Sequence, residues 1–387
     1  MIMQIPARNI HLQLPGKMVF GAGCLGAAAD WIAARAPRAV LIVTSPQIRH
    51  LAEPLVEALH GHGVRVAVWD EVSKEPHVDD LARGLAAARD LHADLIVGLG
   101  GGSAMDVAKL VAALLDGRQQ IAEVFGIGKL QGRSAALVCV PTTSGTGSEV
   151  SPIAIVQDSA DGMKKGVISS HLVPDAAFVD PQLTVGMPPA VTAATGIDAL
   201  THCIEAYANR QAHPVADVWA LEGIRRIGRS LATAYANGTD LEARSDVALG
   251  SLYGGLCLGP VNTAAVHALA YPLGSDFGVA HGVSNAVLLA EVLEFNLPAA
   301  PGRYAEVARA LGVSGAGPDE HVALQGIERI RELNRQCAIP PHIAELGVPE
   351  SAIEALADSA LTVQRLLQQN PRTVTLQDAR DIYRRAF

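Results

Sequence analysis

The stretch DLIVGLGGGSAMDVAKLVAALL, residues 94–115, decides the fold. Its first part is an uninterrupted apolar run, its middle is Gly100, Gly101, Gly102 and Ser103, and its second part has the apolar spacing of an amphipathic helix. Strand, glycine turn and helix in that order form the repeating unit of a parallel sheet covered on both faces. Working outward, AVLIV at 39–43, VRVAVW at 64–69 and ALVCVP at 136–141 read as further strands, separated by the amphipathic segments LAEPLVEALHGHG and VDDLARGLAAARDLHA. An α/β nucleotide-binding domain is therefore expected over 1–187, with ligands at the carboxyl ends of its strands. From about 188 strand-like runs nearly vanish and Ala/Leu/Glu/Arg stretches with helical spacing continue to Phe387, which predicts an all-helical second domain over 188–387. The turn-rich DPQLTVGMPP at 180–189 marks the boundary, since Pro188 and Pro189 can open a helix.

Composition narrows the function. Of 387 residues 49% are apolar, 18% charged and 4% aromatic, so the interior must be built from Ala, Val, Ile and Leu. Thirty Lys and Arg against 39 Asp and Glu leave a net charge of −9 with no basic tract, so neither nucleic acid nor an anionic membrane is an expected partner. Cys24, Cys139, Cys203, Cys257 and Cys337 are widely spaced without a C-x-x-C pair, which fits reduced thiols and a cytoplasmic location. The N-terminal MIMQIPARNIHLQLPGK lacks the basic region and apolar run of a secretory signal. The longest apolar stretch, 94–115, carries Asp106, Lys109 and four glycines, so no membrane span is expected.

Three glycine-rich segments invite a nucleotide. GAGCLG at 21–26 matches G-x-G-x-x-G, but the position about 20 residues on, where an acid should read the ribose, falls in IVTSPQ, and the segment reads as a structural turn. Gly100–Ser103 differ, because glycines between a strand and a helix let backbone N–H groups approach an anion where the helix dipole favours it. No G-K-[ST] follows, which disfavours a Walker-type hydrolase. PTTSGTGSEVSP at 141–152 follows the next strand, and its hydroxyls suit a nicotinamide, ribose or phosphate.

The second half carries a metal-ligand pattern. In TGIDALTHCIEAYAN at 195–209, Asp198 and His202 stand four apart and project from one helix face. His267 and His281 flank a Pro/Gly turn in HALAYPLGSDFGVAHG. One carboxylate and three imidazoles suit divalent Fe or Zn with a position left open for a substrate oxygen. Apolar neighbours such as Leu200 and Leu269 predict that these groups are buried and need partners.

Taken together, GGGSAMDVAK, PTTSGTGSEV, DPQLTVGMPP, TGIDALTHCIEAY, VHALAYPLG, HGVSNAVLLAEVLEFN and NPRTVTLQDARDIYRRAF resemble the iron-containing (group III) alcohol dehydrogenase family nearly from end to end. The resemblance implies a Rossmann-like domain, a helical domain and an active site in the cleft between them. It places metal ligands on Asp198, His202, His267 and His281, and cofactor contacts on Gly101, Gly102, Ser103, Asp106, Thr142, Thr143, Lys165 and Leu183. The implied partners are a small alcohol or aldehyde and a second copy of the chain, as a homodimer or larger homo-oligomer.

Two positions depart from that family's pattern. Ser45 stands where many relatives carry an Asp that pairs with the adenosine ribose, and Arg49 lies one turn on, so NADP is open alongside NAD. Tyr271 stands where many relatives place a further pocket histidine, and its phenol would donate a hydrogen bond or simply pack. The expected reaction is metal-dependent hydride transfer between a nicotinamide and a small primary alcohol/aldehyde pair, the metal being Fe2+ with Zn2+ as the alternative. Maleylacetate reductase or a hydroxyacid-oxoacid oxidoreductase is the alternative within the same chemistry. A dehydroquinate-synthase-like lyase and a non-catalytic nucleotide-binding scaffold are the rivals outside it.

Overall fold

The apolar runs of the N-terminal half become strands in the computed structural model, which describes residues 8–72, 75–160 and 162–387. The strands are β1 (Lys17–Phe20), β2 (Val40–Val43), β3 (Val66–Trp69), β4 (Leu95–Gly100), β5 (Gly126–Ile127), β6 (Ala136–Pro141), β7 (Ile153–Gln157), β8 (Lys164–Ile168) and β9 (Ala176–Val179). Between them lie α1 (Leu25–Ala33), α2 (Glu53–Gly61), α3 (Val78–Leu91), α4 (Gly102–Leu114) and the single turn α5 (Ile121–Val124). One sheet has the order β1-β9-β6-β4-β2-β3 with every neighbour parallel. Leu41, Val43 and Ile96 join the core on one face and Val40, Ile42 and Val97 the core on the other, which is why these strands read as unbroken apolar runs. A smaller sheet, β5-β8-β7, pairs β7 and β8 antiparallel.

Strand order reverses between β2 and β4, since β3 lies outside β2 and the chain then returns to its other side. Open parallel sheets bind ligands beyond the carboxyl ends of the strands at such a switch point. Ser45 follows β2, the glycines follow β4, and Thr142 and Thr143 follow the adjacent β6.

The GAGCLG turn is structural: its Gly23 and Leu25 N–H groups donate to the two carboxylate oxygens of Asp180, at 3.0 and 3.1 Å. An internal carboxylate thus fills the place an external anion would take. The first seven residues of the N-terminal stretch lie outside the described residues. Among the described residues no helix is long and apolar enough to cross a membrane, and all five cysteines are free thiols.

After Val185 the chain is helical: α6 (Pro189–Tyr207), α7 (Pro214–Ala236), α8 (Leu241–Leu258), α9 (Ala265–Phe277), α10 (His281–Asn296), α11 (Pro301–Ala310), α12 (Asp319–Gln336), α13 (Ile353–Ala360), α14 (Gln364–Leu367) and α15 (Leu376–Arg385). Their apolar faces share one aliphatic core. The chain divides into two units. The sheet unit is Gln13–Thr143 with Gly147–Val185, and the helical unit contains Gly186–Phe387 together with Ser144–Thr146 from the loop after β6.

Within the sheet unit α4 is buried on nearly all sides, and its two charged residues must find partners there. Lys109 donates from Nζ to the carbonyls of Ser151 (2.9 Å) and Ile153 (2.8 Å). Asp106 accepts from the Ser148 hydroxyl (2.6 Å) and the Ile155 N–H (2.9 Å). Burial pushes the Lys109 ammonium down and the Asp106 carboxyl up, each opposed by the other's charge. These two side chains, one turn apart, therefore fasten the segment after β6 to the helix that follows the glycines. Lys109→Met should remove about 3 kcal/mol of stability, because it strands two buried carbonyls and an unbalanced carboxylate. Urea unfolding checks this, and an unchanged midpoint would refute the fastening role.

Candidate active site

Helical spacing alone puts Asp198 and His202 on one face of α6, and the fold brings them to His267 on α9 and His281 at the start of α10. The Nε2 atoms of His267 and His281 each lie 3.5 Å from Asp198 Oδ1. Asp198, His267 and His281 offer donor atoms that all fall within 4.8 Å of one another. His202 stands slightly apart from that group: its Nε2 is 3.9 Å from Asp198 Oδ1, and its ring stacks on His267 with centroids 4.7 Å apart.

The outer nitrogens are fixed by acceptors. The carboxylate of Glu205, one turn beyond His202, accepts from His267 Nδ1 at 2.6 Å and from the Val266 N–H in the first turn of α9 at 2.6 Å. It thereby satisfies an otherwise orphaned helix donor and leaves Nε2 as the His267 ring nitrogen that faces Asp198. His202 Nδ1 lies 3.3 Å from the carbonyl of Gly145, which fixes its ring in the same sense.

Two close approaches make this convergence feasible. A Cβ at Gly282 would lie 2.1 Å from the Ala194 carbonyl oxygen, so only glycine lets α10 start close enough to α6 for His281 to reach Asp198. At Gly145 a Cβ would lie 2.8 Å from the Thr195 Cβ, so only glycine lets the loop carbonyl meet His202.

The charges of the cluster offset one another. Burial opposes ionisation of Asp198, yet the surrounding imidazoles of His202, His281 and His267 hold its carboxyl well below the ordinary range. Burial likewise opposes a charged His267, but Glu205 and Asp198 outweigh it and lift that imidazole to about 9. His202 responds to burial and is pushed down. Asn285, one turn beyond His281 and fully buried, places its amide nitrogen 2.7 Å from Asp198 Oδ1, 3.2 Å from His267 Nε2 and 3.3 Å from His281 Nε2. Its own Oδ1 is buried without a partner. The amide thus turns its positive end to a point where three donors converge, at the cost of an orphaned oxygen. A divalent ion with imidazole and carboxylate ligands fits that point.

Glu205 and Asn285 were missed in the sequence, although both carry a signal. Glu205 follows Asp198 by seven residues and His202 by three, and Asn285 follows His281 by four, so each lies on the ligand-bearing face of its helix.

Other expected residues have found internal partners. Gly101 caps α4, and Gly102 and Ser103 open its first turn. Thr142 is buried and donates its N–H to the Gly100 carbonyl at 2.9 Å, with Thr143 beside it. Ser45 begins the short helix Pro46–Ala52. Arg49 pairs with Asp70 at 3.1 Å and Lys165 with Asp158 at 2.7 Å, so a phosphate at either would compete with a carboxylate. Leu183 packs partly buried against the sheet core. Tyr271, one turn beyond His267, has its ring centroid 6.1 Å from that of His281.

Comparison with known proteins gives the same picture over both halves. The model described as "Iron-containing alcohol dehydrogenase" matches residues 15–181, and that described as "Fe-containing alcohol dehydrogenase family, C-terminal" matches residues 192–387. The chain is 41% identical over 354 residues to the long-chain-alcohol dehydrogenase 1 of Geobacillus thermodenitrificans, covering 90% of this chain and 89% of the relative. A solved 1,3-propanediol oxidoreductase superposes with a TM-score of 0.95 at 33% identity, over 98% of this chain and 100% of that one. The sulfoacetaldehyde reductase of Bifidobacterium kashiwanohense, solved in complex with NAD+, gives 0.88 at 28% identity, over 98% and 99%.

Replacing Glu205 with Gln should weaken metal binding about 10- to 100-fold, as loss of a carboxylate behind a ligating histidine does elsewhere. Calorimetric titration of Zn2+ into the metal-free chain measures it. An unchanged affinity would show that Glu205 serves only as the cap of α9.

Proposed function

Because the chain belongs to the iron-containing alcohol dehydrogenase family and is a metal-dependent oxidoreductase of alcohols and aldehydes, we propose that Asp198, His202, His267 and His281 hold its divalent metal. Iron is the first choice and zinc the second. The observation that carries this reading is the pair of imidazole Nε2 atoms 3.5 Å from one buried carboxylate oxygen, with His267 locked from behind by Glu205.

When bound, the metal supplies Lewis acidity toward the substrate oxygen and the nicotinamide carries the hydride. Oxidation of the alcohol removes a hydride from carbon and a proton from the hydroxyl, and reduction of the aldehyde returns both. The chain's own contribution is to bind, orient and shield. Asp198 supplies the negative charge, while Glu205 and the Gly145 carbonyl hold two rings in the orientation that leaves Nε2 unprotonated. Burial raises the Tyr271 phenol above its ordinary value. It therefore stays protonated through the neutral range and can serve as a hydrogen-bond donor.

For the cofactor, the N–H groups at Gly101, Gly102 and Ser103 receive the pyrophosphate at the start of α4. Thr142 and Thr143, at the next strand end, would hold the nicotinamide ribose, and Ser45, after β2, would face the adenosine ribose. Asp106 acts from behind, through the segment it fastens. Lys165 and Leu183 border the same ligand. Ser45 offers no carboxylate to repel a 2′-phosphate, so NAD and NADP are both accommodated, and Arg49 must leave Asp70 to favour the latter. The working form is a homodimer or larger assembly in the cytoplasm, acting on a small primary alcohol or aldehyde.

Metal analysis with NADH and NADPH oxidation across short aldehydes tests the reading in the wild type, Asp198→Asn and His267→Ala. Both variants should lose bound metal and at least about a hundredfold in kcat/KM. Full metal content and full activity in either would defeat the ligand assignment. Ser45→Asp should depress NADPH-linked activity more than NADH-linked activity, and equal effects would remove Ser45 from the ribose site.

A further inference from the structure

We infer that Asn285 is a positioning residue of the metal centre: its carboxamide fixes the rotation of the Asp198 carboxylate, so that one oxygen, Oδ1, is presented beside His267 and His281. This role presupposes the ligand set proposed above and adds a residue that is not itself a ligand. A carboxylate has two equivalent oxygens and turns readily about its last bond unless a neighbour holds it. Asn285 Nδ2 lies 2.7 Å from Asp198 Oδ1, against 3.5 Å for the Nε2 atoms of His267 and His281 and 3.9 Å for that of His202. The first has the length of a charge-assisted hydrogen bond and the others do not. The amide thus grips the same oxygen that faces the imidazoles. That contact also decides which end of the amide points inward, since an amide oxygen in the place of Nδ2 would set two acceptors 2.7 Å apart. Nδ2 lies 3.2 Å from His267 Nε2 and 3.3 Å from His281 Nε2, so it stands among all three side chains.

Packing alone does not call for an asparagine at this point of α10. The residues that follow it, Ala286, Val287, Leu288 and Leu289, are buried and apolar. A leucine at 285 would branch at the same Cγ without burying a polar atom, whereas asparagine is the weaker helix former and leaves Oδ1 buried without a partner. Two other buried amides of the helical unit, Asn296 and Asn370, answer each other nitrogen to oxygen in both directions, at 2.9 and 2.6 Å. Asn334 also leaves its Oδ1 open, yet its nitrogen meets only a main-chain carbonyl, that of Ala286. Asn285 donates to a carboxylate, and it does so from the closed side of the cluster. The His281 side chain is 33% exposed and those of Asp198 and His267 4% each, while Asn285, one helical turn beyond His281, is fully buried. The carboxylate is therefore pinned from within while the cluster stays open on the side of His281.

The test titrates Co2+ into the chelator-treated full chain as wild type, Asn285→Leu and Asn285→Ala, reading affinity and the visible absorption of the bound ion, with urea unfolding of each chain before metal is added. Leucine fills the volume without the donor, and alanine lacks both. Both variants should bind Co2+ about 10- to 100-fold more weakly than the wild type, as when a group that orients a metal ligand is lost. The absorption band should change as well, because a carboxylate free to turn no longer presents one fixed oxygen to the ion. Unfolding separates this from packing: Asn285→Leu should keep the wild-type urea midpoint while its affinity stays low, and Asn285→Ala should lose both. Where the leucine variant also unfolds earlier, the band decides, since lower affinity with an unchanged band marks a general loosening and overturns the inference. Wild-type affinity and band in Asn285→Leu would make the residue a packing element and overturn it too, as would tighter binding in either variant. A wild type that binds no Co2+ would defeat the ligand assignment and this role together, an outcome distinct from one in which all three chains bind alike.

Discussion

Asp198 places a carboxylate inside an aliphatic helical core, where an uncompensated charge would cost several kcal/mol. The surrounding structure answers that cost with imidazoles and an amide. His202 comes from one turn along the same helix, His267 from α9 and His281 from the first residue of α10, so three helices must meet at one point. Once they meet, each ligand is oriented by a group outside the cluster. Glu205 holds His267, the Gly145 carbonyl holds His202, and Asn285 turns its donor toward the centre. The unpartnered Oδ1 of Asn285 and the raised pKa of His267 both lie at this point of convergence. A metal ion held here, as proposed, would compete with protons for the same lone pairs.

The nucleotide half depends on an equally local bargain. A helix that follows a glycine turn must be buried closely against its strand if its N-terminal N–H groups are to stand at the strand end. That leaves α4 with charged residues where solvent cannot reach them. Asp106 and Lys109 resolve the difficulty by taking partners from Ser148 to Ile155, so the charges that burial penalises become the ties that fix the segment after β6. Thr142 and Thr143 sit between those ties and the strand, and their positions follow from both.

Much of this was legible in the sequence because it is local. Unbroken apolar runs marked the central strands, helical spacing marked Asp198 with His202, and the flanking motifs marked His267 and His281. The same spacing also carried Glu205 and Asn285, which their residue types do not single out because they act one bond beyond the imidazoles and the carboxylate. The antiparallel pair β7/β8 left a weak signal, since β7 alternates between buried and half-buried positions and β8 has a single buried residue, Val167. Asp106, read as a cofactor contact, spends both oxygens inside the protein, and no spacing rule could show that Ser148 and Ile155 would be its partners. Arg49 with Asp70 and Lys165 with Asp158 are tertiary pairings of the same kind.

The low aromatic content of the chain has a structural consequence at the metal cluster. A core of Ala, Val, Ile and Leu lets elements approach closely, and Gly282 against Ala194 and Gly145 against Thr195 are two such close approaches beside the cluster. Side chains placed by such contacts are positioned by main chain, which has few ways to relax. Bulkier packing would have set the helices further apart and left long side chains to span the gap, at a greater cost in rotamer entropy. The glycines that looked in the sequence like turn formers thus include two whose work is to fix a distance. At Gly282 in particular, an added methyl group would have to displace the start of α10, and with it His281, before it could be accommodated.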